Sequence, residues 1–469
     1  MVFSSVAFLF LFFPSVLLCY FALPGIKLKN AVLIVFSLLF YAYGEPKAAA
    51  IMIASVVINY VSALILTKIK TKSVKKILIA AVVAVNLGML FTFKYLDFSV
   101  GIFNKLFRLG ISIPEISLPI GISFFTFQAL SYVIDVYRNE IKVQKNIFKM
   151  FLYISFFPQL IAGPIVRYKD IEKQLSYRKH TTDRTASGLR QFIFGLSAKL
   201  LLANPIGSVA DTVFAYDKNS LFSLLCWIGA VAYTMQIYFD FSGYSNMAIG
   251  MGRIFGFDFP PNFNLPFTSF GMKDFWRRWH ISLSTWFREY LYIPLGGNRC
   301  TTGRKLLNLM TVFAFTGLWH GANFTFIIWG LLHGIFVCAE NIFDIKKIPK
   351  AVVRIYTSLV IILTFVFFRA DNINYAINYL CLMFIQGQDA NLSLAIELLN
   401  PVNIAVFIFS LIFSLGLHIK LKDTIIKKTS GNSTKFFEFT EYLLSVLLLG
   451  LCIIALAAST YNPFIYFRF

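Results

Sequence analysis

Two histidines carry the chemistry open to this chain. His320 sits in Gly317-Leu318-Trp319-His320-Gly321-Ala322-Asn323, within a stretch apolar enough to enter a bilayer. An ionisable side chain at that depth marks a functional site by default. Desolvation favours the neutral imidazole, the form that takes a proton from a hydroxyl, so His320 is expected to act as a general base. Trp319 adjoins it, and the small Gly317 and Gly321 are expected to leave room for a substrate. The bland alternative is a histidine hydrogen-bonded between helices, and the chemical reading outweighs it here. His280 lies upstream in Trp276-Arg277-Arg278-Trp279-His280-Ile281-Ser282-Leu283, at the edge of the same block. Chemistry alone leaves two readings of it level. It anchors a helix at the membrane boundary, as aromatic and basic residues do there, or it joins Trp276, Arg277 and Arg278 in receiving an anionic donor such as a phosphate-bearing thioester.

Other polar residues in apolar runs are weaker candidates. Asp240, Ser242, Tyr244 and Asn246, and likewise Gln128, Ser131 and Asp135, either hydrogen-bond between helices or line a polar path to the histidine. Structural lining is favoured for both sets. A metal site is not expected, because no His-Glu-x-x-His occurs and no carboxylate accompanies His320 and His333 at ligand spacing. His333, His418 and His180 read as structural or solvated. The glycines from Gly243 to Gly256 have the wrong spacing for a nucleotide fingerprint and suit helix–helix contacts better.

These residues need a membrane-embedded scaffold to position them. The 469 residues are 58% hydrophobic and only 14% charged, too little polar surface to cover soluble domains, so one all-α polytopic membrane domain spanning 1–469 is expected. The net charge of +21 does not imply nucleic acid. Lys and Arg fall in short bursts between apolar runs: Lys68 to Lys76, Arg138 to Lys149, Arg167 to Lys179, Arg277 to Lys305, Lys346 to Arg354 and Lys420 to Lys428. That is the pattern of cytoplasmic loops. Alternating the loops places both termini outside. The six scattered cysteines read as small buried hydrophobes, and Val2 to Leu23 as a retained first span rather than a cleaved signal.

Candidate spans are Phe3–Leu23, Asn30–Tyr43, Ala48–Thr67, Ile77–Tyr95, Leu118–Tyr137, Phe151–Val166, Leu189–Asp211, Leu221–Tyr238, Ser242–Phe257, Asn308–Phe315, Phe324–Phe343, Val352–Phe368, Val402–His418 and Tyr442–Ser459, several too short to cross alone. From Phe257 to Arg304, Pro260, Pro261, Pro266, Pro294, Gly296 and Gly297 interrupt the chain, so broken, re-entrant or interfacial elements are expected. Within it Phe275, Trp279, Leu283, Trp286 and Tyr290 recur at helical spacing beside Lys273, Arg277, Arg278, Arg288 and Glu289, which predicts one amphipathic interfacial helix. No internal repeat of the kind that marks secondary transporters is evident.

Taken in order, Gln159-Leu160-Ile161-Ala162-Gly163-Pro164-Ile165, Tyr238-Phe239-Asp240-Phe241-Ser242-Gly243-Tyr244, Asp274 to Gly297, and Leu318-Trp319-His320-Gly321 resemble the membrane-bound O-acyltransferase family, over about residues 119–334. Within it the runs look most like the integral-membrane subunit of alginate-type O-acetylation, and more distantly like the teichoic-acid D-alanylation members. The resemblance implies a ring of tilted transmembrane helices, with re-entrant and interfacial helices, around a central tunnel. It puts the family's histidine on His320 and its second, asparagine-or-histidine position on His280, which decides the tie above for function. Arg277, Arg278, Trp276, Trp319, Asn323, Asp240 and Ser242 are expected to bind the donor or line the tunnel. Asn246 departs from the aspartate usual in alginate-type members, and an amide cannot act as a base.

The terminal Phe464-Ile465-Tyr466-Phe467-Arg468-Phe469 resembles an aromatic C-terminal motif of exopolysaccharide and cell-wall acylation systems. Its ordinary role would be a membrane-interface anchor; its functional role would be Tyr466 as an acyl relay. The expected activity is transfer of an acyl group, acetyl above all, from a cytoplasmic thioester such as acetyl-CoA, a substrate rather than a bound cofactor, for O-acetylation of an extracytoplasmic glycan. An extracytoplasmic acetyltransferase partner and a bacterial inner-membrane location are expected with it. D-alanyl transfer from a carrier protein and a non-enzymatic lipid or glycan transporter are the alternatives.

Overall fold

The computed structural model describes residues 1–114, 116–216, 221–385, 392–428 and 434–458. Helices account for the regular structure, and no strand occurs among the described residues. Among the described residues, seven helices are long and apolar enough to cross a membrane: Pro46–Lys68, Lys72–Lys94, Thr182–Ala215, Ser223–Ile254, Phe324–Ile342, Lys350–Arg369 and Phe437–Ala458. A further pair, Leu392–Leu398 and Pro401–Ser414, is bent by 64° at its break, where Pro401 cannot continue the preceding helix. The chain is therefore an all-α, multi-pass membrane protein, because only a helix satisfies its own backbone groups in hydrocarbon without closing a barrel.

Two compact units emerge. The first comprises Met1–Leu189 with Met247–Pro260, the second Arg190–Asn246 with Pro261–Phe469. In the first, Asn59 and Asn86 face each other from adjacent spans and exchange amide hydrogen bonds of 3.0 and 2.9 Å. Such reciprocal pairs join helices where no water competes. The core of this unit is dense in phenylalanine, with Phe3, Phe8, Phe12, Phe40 and Phe157 in mutual ring contact. His180 also belongs to this unit. Its Nε2 lies 3.3 Å from the Tyr20 hydroxyl, and burial, reinforced by the cations Lys29, Arg178 and Arg184, holds its imidazole down to about 4. It stays neutral at ordinary pH.

Several sequence expectations change. The two spans expected over 221–257 are one helix, Ser223–Ile254, since Asp240 and Ser242 interrupt hydropathy without interrupting the backbone. The short apolar run beginning at Asn308 is the middle of Thr302–His320. Phe151–Val166 is not a span: Ile147–Ser155 ends before Pro158, and only the turn Phe157–Leu160 follows. The single amphipathic helix expected from Phe275 to Tyr290 is broken into Met272–Arg278, Ile281–Phe287 and the wider turn Arg288–Tyr292. Its stripe is real, since Phe275, Trp279, Leu283, Trp286 and Tyr290 are all buried, but the backbone leaves the helical conformation at Trp279 and His280.

Candidate active site

All residues of the site lie in the second unit. Thr302–His320 and Phe324–Ile342 form a hairpin joined at Gly321, Ala322 and Asn323. The contact is close because glycines face backbone. A Cβ on Gly317 would stand 2.3 Å from the Phe326 carbonyl oxygen, and one on Gly330 would stand 2.3 Å from that of Phe313. A Cβ on Gly321 would meet the Phe326 ring at 2.3 Å. The space expected beside His320 for a substrate is thus filled by Phe326. These glycines bring the helices together, as small residues do in membranes. Gly317→Ala is expected to destabilise the protein by about 1–3 kcal/mol through overpacking, read as a lower midpoint of thermal unfolding in detergent; an unchanged midpoint would contradict the close crossing.

The hairpin puts His320 in the last turn of its helix, where it is 4% exposed. Aromatic rings enclose it: Trp319 at 5.0 Å between centroids, Trp329 at 5.1 Å and Phe368 at 5.1 Å. His280 reaches the same enclosure from the Pro-rich segment, its ring 6.5 Å from that of His320 and 5.8 Å from Trp319. Phe241 of Ser223–Ile254 stacks edge-on against His280 at 4.7 Å. Two titratable rings therefore share one water-poor aromatic box.

His280 is strained, and hydrogen bonds hold it in place. It is fully buried and left-handed at φ 43°, immediately before Ile281–Phe287, a conformation that costs a residue with a Cβ about 1–2 kcal/mol. Asn262 holds it there. The Asn262 carbonyl accepts from Ile281 N–H at 2.9 Å, and its side-chain Oδ1 accepts from Ser282 N–H at 3.3 Å and Ser282 Oγ at 2.8 Å. The same Oδ1 lies 3.1 Å from His280 Nδ1. Asn262 Nδ2 donates to Ser245 Oγ at 3.1 Å, anchoring the loop to Ser223–Ile254.

The remaining candidates divide. Trp276 is buried, and its indole N–H donates to His333 Nδ1 at 3.2 Å. His333 Nε2 in turn meets Thr364 Oγ1 at 3.0 Å, so both ring nitrogens have partners, in keeping with a structural histidine. Arg278 pairs with Asp274 at 2.9 Å, and Arg277 is exposed. Asn323 caps Phe324–Ile342 through Thr325 N–H and donates to the Asp371 carbonyl at 2.9 Å. Asp240 forms a buried ion pair with Lys199 at 2.7 Å, and Lys199 also donates to Asn204 at 2.8 Å. Ser242 is buried on the same helix. The structure therefore brings together His320, His280 and Trp319, gives Asn323, Trp276 and Asp240 structural bonds, and leaves Arg277 at the surface. Tyr466 lies outside the described residues.

Two residues escaped the sequence reading. Asn262 follows Pro260-Pro261, where a helix-breaking pair announces a turn but not the histidine it will hold. Glu340 is a buried carboxylate in the apolar run Phe324–Ile342, a signal that intramembrane acids generally give. Its two oxygens accept from Met272 N–H at 2.5 Å and Lys273 N–H at 3.0 Å. Glu340 thus caps Met272–Arg278 from a neighbouring helix. No group of metal-ligating side chains occurs among the described residues.

A buried pair of imidazoles in an all-α membrane scaffold defines an acyl-transfer class of membrane protein when joined to the sequence comparisons. The family model for membrane-bound O-acyltransferases matches residues 122–346. The chain is 38% identical, over 503 aligned positions covering all of both chains, to a protein of Azotobacter vinelandii named probable alginate O-acetylase AlgI. It is 35% identical to the peptidoglycan O-acetyltransferase of Helicobacter pylori over all of this chain and 98% of that one. It is 32% identical to the teichoic acid D-alanyltransferase of Bacillus subtilis over 53% of this chain and 66% of that one. The chain belongs to the membrane-bound O-acyltransferase family and is an O-acyltransferase.

Proposed function

We propose that the protein transfers an acetyl group from a cytoplasmic thioester, acetyl-CoA, for O-acetylation of an extracytoplasmic polysaccharide or cell-wall glycan. The observation that carries this reading is the pair of buried imidazoles, His280 and His320, 6.5 Å apart in one aromatic box. That separation suits a single substrate oxygen within hydrogen-bond reach, about 2.6–3.2 Å, of each ring. His320 takes the hydroxyl proton as the oxygen attacks the thioester carbonyl carbon. The tetrahedral intermediate then collapses, the C–S bond breaks, and the proton passes from His320 to the leaving thiolate, giving an ester and a free thiol. Burial among Trp319, Trp329 and Phe368 excludes water that would otherwise hydrolyse the thioester.

The basic loops face the cytoplasm in this reading, both termini face outward, and the inner membrane of a bacterium is the site. An extracytoplasmic partner then receives the acetyl group, because no segment of the chain reads as a soluble glycan-binding domain. Tyr466 is the candidate relay: its hydroxyl accepts the acetyl group as an ester and the partner passes it to the glycan. Tyr466→Phe is expected to abolish that transfer, measured as ester-linked acetate released from surface glycans by mild alkali. Unchanged acetate would remove Tyr466 from the pathway.

The reading itself is tested by comparing surface glycans of cells with and without the intact chain. Ester-linked acetate that depends on the chain is the expected outcome. Ester-linked D-alanine instead would favour the carrier-dependent alternative, for which the half-length similarity to the D-alanyltransferase speaks. No ester difference would overturn this reading of the substrate.

A further inference from the structure

His280 and His333 are both buried rings, and their hydrogen-bond partners set opposite proton positions. In a neutral imidazole one nitrogen donates and the other accepts. At His333 the partner of Nδ1 is an indole N–H, which can only donate. Nδ1 is therefore the acceptor, the proton sits on Nε2, and Nε2 donates to Thr364 Oγ1, whose own proton goes to the Val360 carbonyl at 2.6 Å.

At His280 the partner is the side-chain amide of Asn262. Its orientation is decided by Ser282, whose backbone N–H can only donate and points at the same atom. That atom is therefore the oxygen, an arrangement supported by the opposite amide end donating to Ser245 Oγ. An amide oxygen only accepts, so His280 Nδ1 carries the proton. Nε2, on the other side of the ring, is an unprotonated nitrogen, buried and without a hydrogen-bond partner. A lone pair left bare in the interior is costly, and it is carried on a residue already strained at φ 43°. Both features gather at functional sites.

We infer that Asn262 is a positioning residue that locks His280 in the Nδ1–H form, so that His280 enters the reaction as a hydrogen-bond acceptor through Nε2. The functional half of this inference rests on the acyl-transfer reading above. Between positioning a substrate group and stabilising charge on the thioester oxygen, it assigns His280 the first. A neutral ring with Nε2 bare cannot donate to the oxygen of the thioester as negative charge develops there. It accepts from a proton-bearing group of the substrate, orienting an O–H or an amide N–H within the box that His320 shares. Three roles for one amide oxygen, toward Ser282 N, Ser282 Oγ and His280 Nδ1, explain why a side chain outside the hairpin sets the chemistry.

The experiment uses the full chain in lipid nanodiscs with isotope-labelled histidine. Only five histidines are present, and single His→Gln variants assign their ring signals. The expected spectrum shows His280 protonated at Nδ1 and His333 at Nε2, the second acting as an internal standard of the opposite form. In Asn262→Ala the His280 signal is expected to move to the Nε2–H form or to a mixture, with at least a tenfold loss of glycan acetylation in cells. Asn262→Asp keeps the accepting oxygen and is expected to retain the Nδ1–H signal and most of the acetylation. A wild-type His280 protonated at Nε2 would overturn the inference, as would full acetylation by a folded Asn262→Ala protein. If Asn262→Ala does not fold, the wild-type and Asn262→Asp spectra still decide the proton position. Normal acetylation by both His280→Ala and His320→Ala would instead defeat the acyl-transfer reading, whatever the spectra show.

Discussion

Cells carrying His320→Ala are expected to lose nearly all ester-linked acetate from their surface glycans while the protein still reaches the membrane in normal amount. Positioned proton transfer is worth about 10²–10⁴ in rate, and the two other buried imidazoles are held elsewhere by their own partners. His280 is a separate ring with its Nδ1 engaged by Asn262, and His333 has both nitrogens engaged by Trp276 and Thr364. His333→Gln provides the contrast. It is expected to lower stability through the lost bonds while leaving residual acetylation in whatever fraction folds. Normal acetylation by a folded His320→Ala protein would end the general-base mechanism.

Glu340→Ala is expected to cause the largest loss of stability among single substitutions outside the histidines. The carboxylate satisfies two backbone N–H groups at the start of Met272–Arg278, and the ammonium of Lys273 donates to the Glu340 carbonyl at 2.6 Å. Removing both acceptor oxygens leaves buried donors bare at about 1–3 kcal/mol each, so a loss of several kcal/mol follows. Because that short helix carries Trp276 and leads into His280, activity is expected to fall with stability. Glu340→Gln keeps one acceptor oxygen and should fall between Ala and wild type. Thermal unfolding followed by size-exclusion in detergent measures the order, and equal midpoints for the three proteins would refute the capping role.

Much of the site's content was legible in the chain. The apolar run around His320 and the bursts of Lys and Arg are local properties, and burial of a titratable group in such a run needs no knowledge of distant neighbours. The apolar stripe through Phe275, Trp279, Leu283, Trp286 and Tyr290 was equally visible, and all five are buried. Its backbone was not. A stripe reports which side of the chain avoids water, whereas the break at His280 depends on Asn262 bonding Ile281 and Ser282 from outside the helix. Gly317 and Gly321 misled for a related reason: an absent side chain signals a close approach without saying what approaches, and here it is Phe326.

The sequence alone thus determined an all-α, multi-pass membrane class and a buried histidine in an apolar block, since hydropathy and spacing accumulate along consecutive residues. Only the tertiary structure decided that His280 meets His320 in one aromatic box, that Asn262 dictates which nitrogen of His280 is bare, and that Glu340 holds the segment between them. Hydrogen-bond direction is set by partners far apart in the chain, and one amide oxygen can choose a tautomer only where the fold has placed it within about 3 Å of the ring.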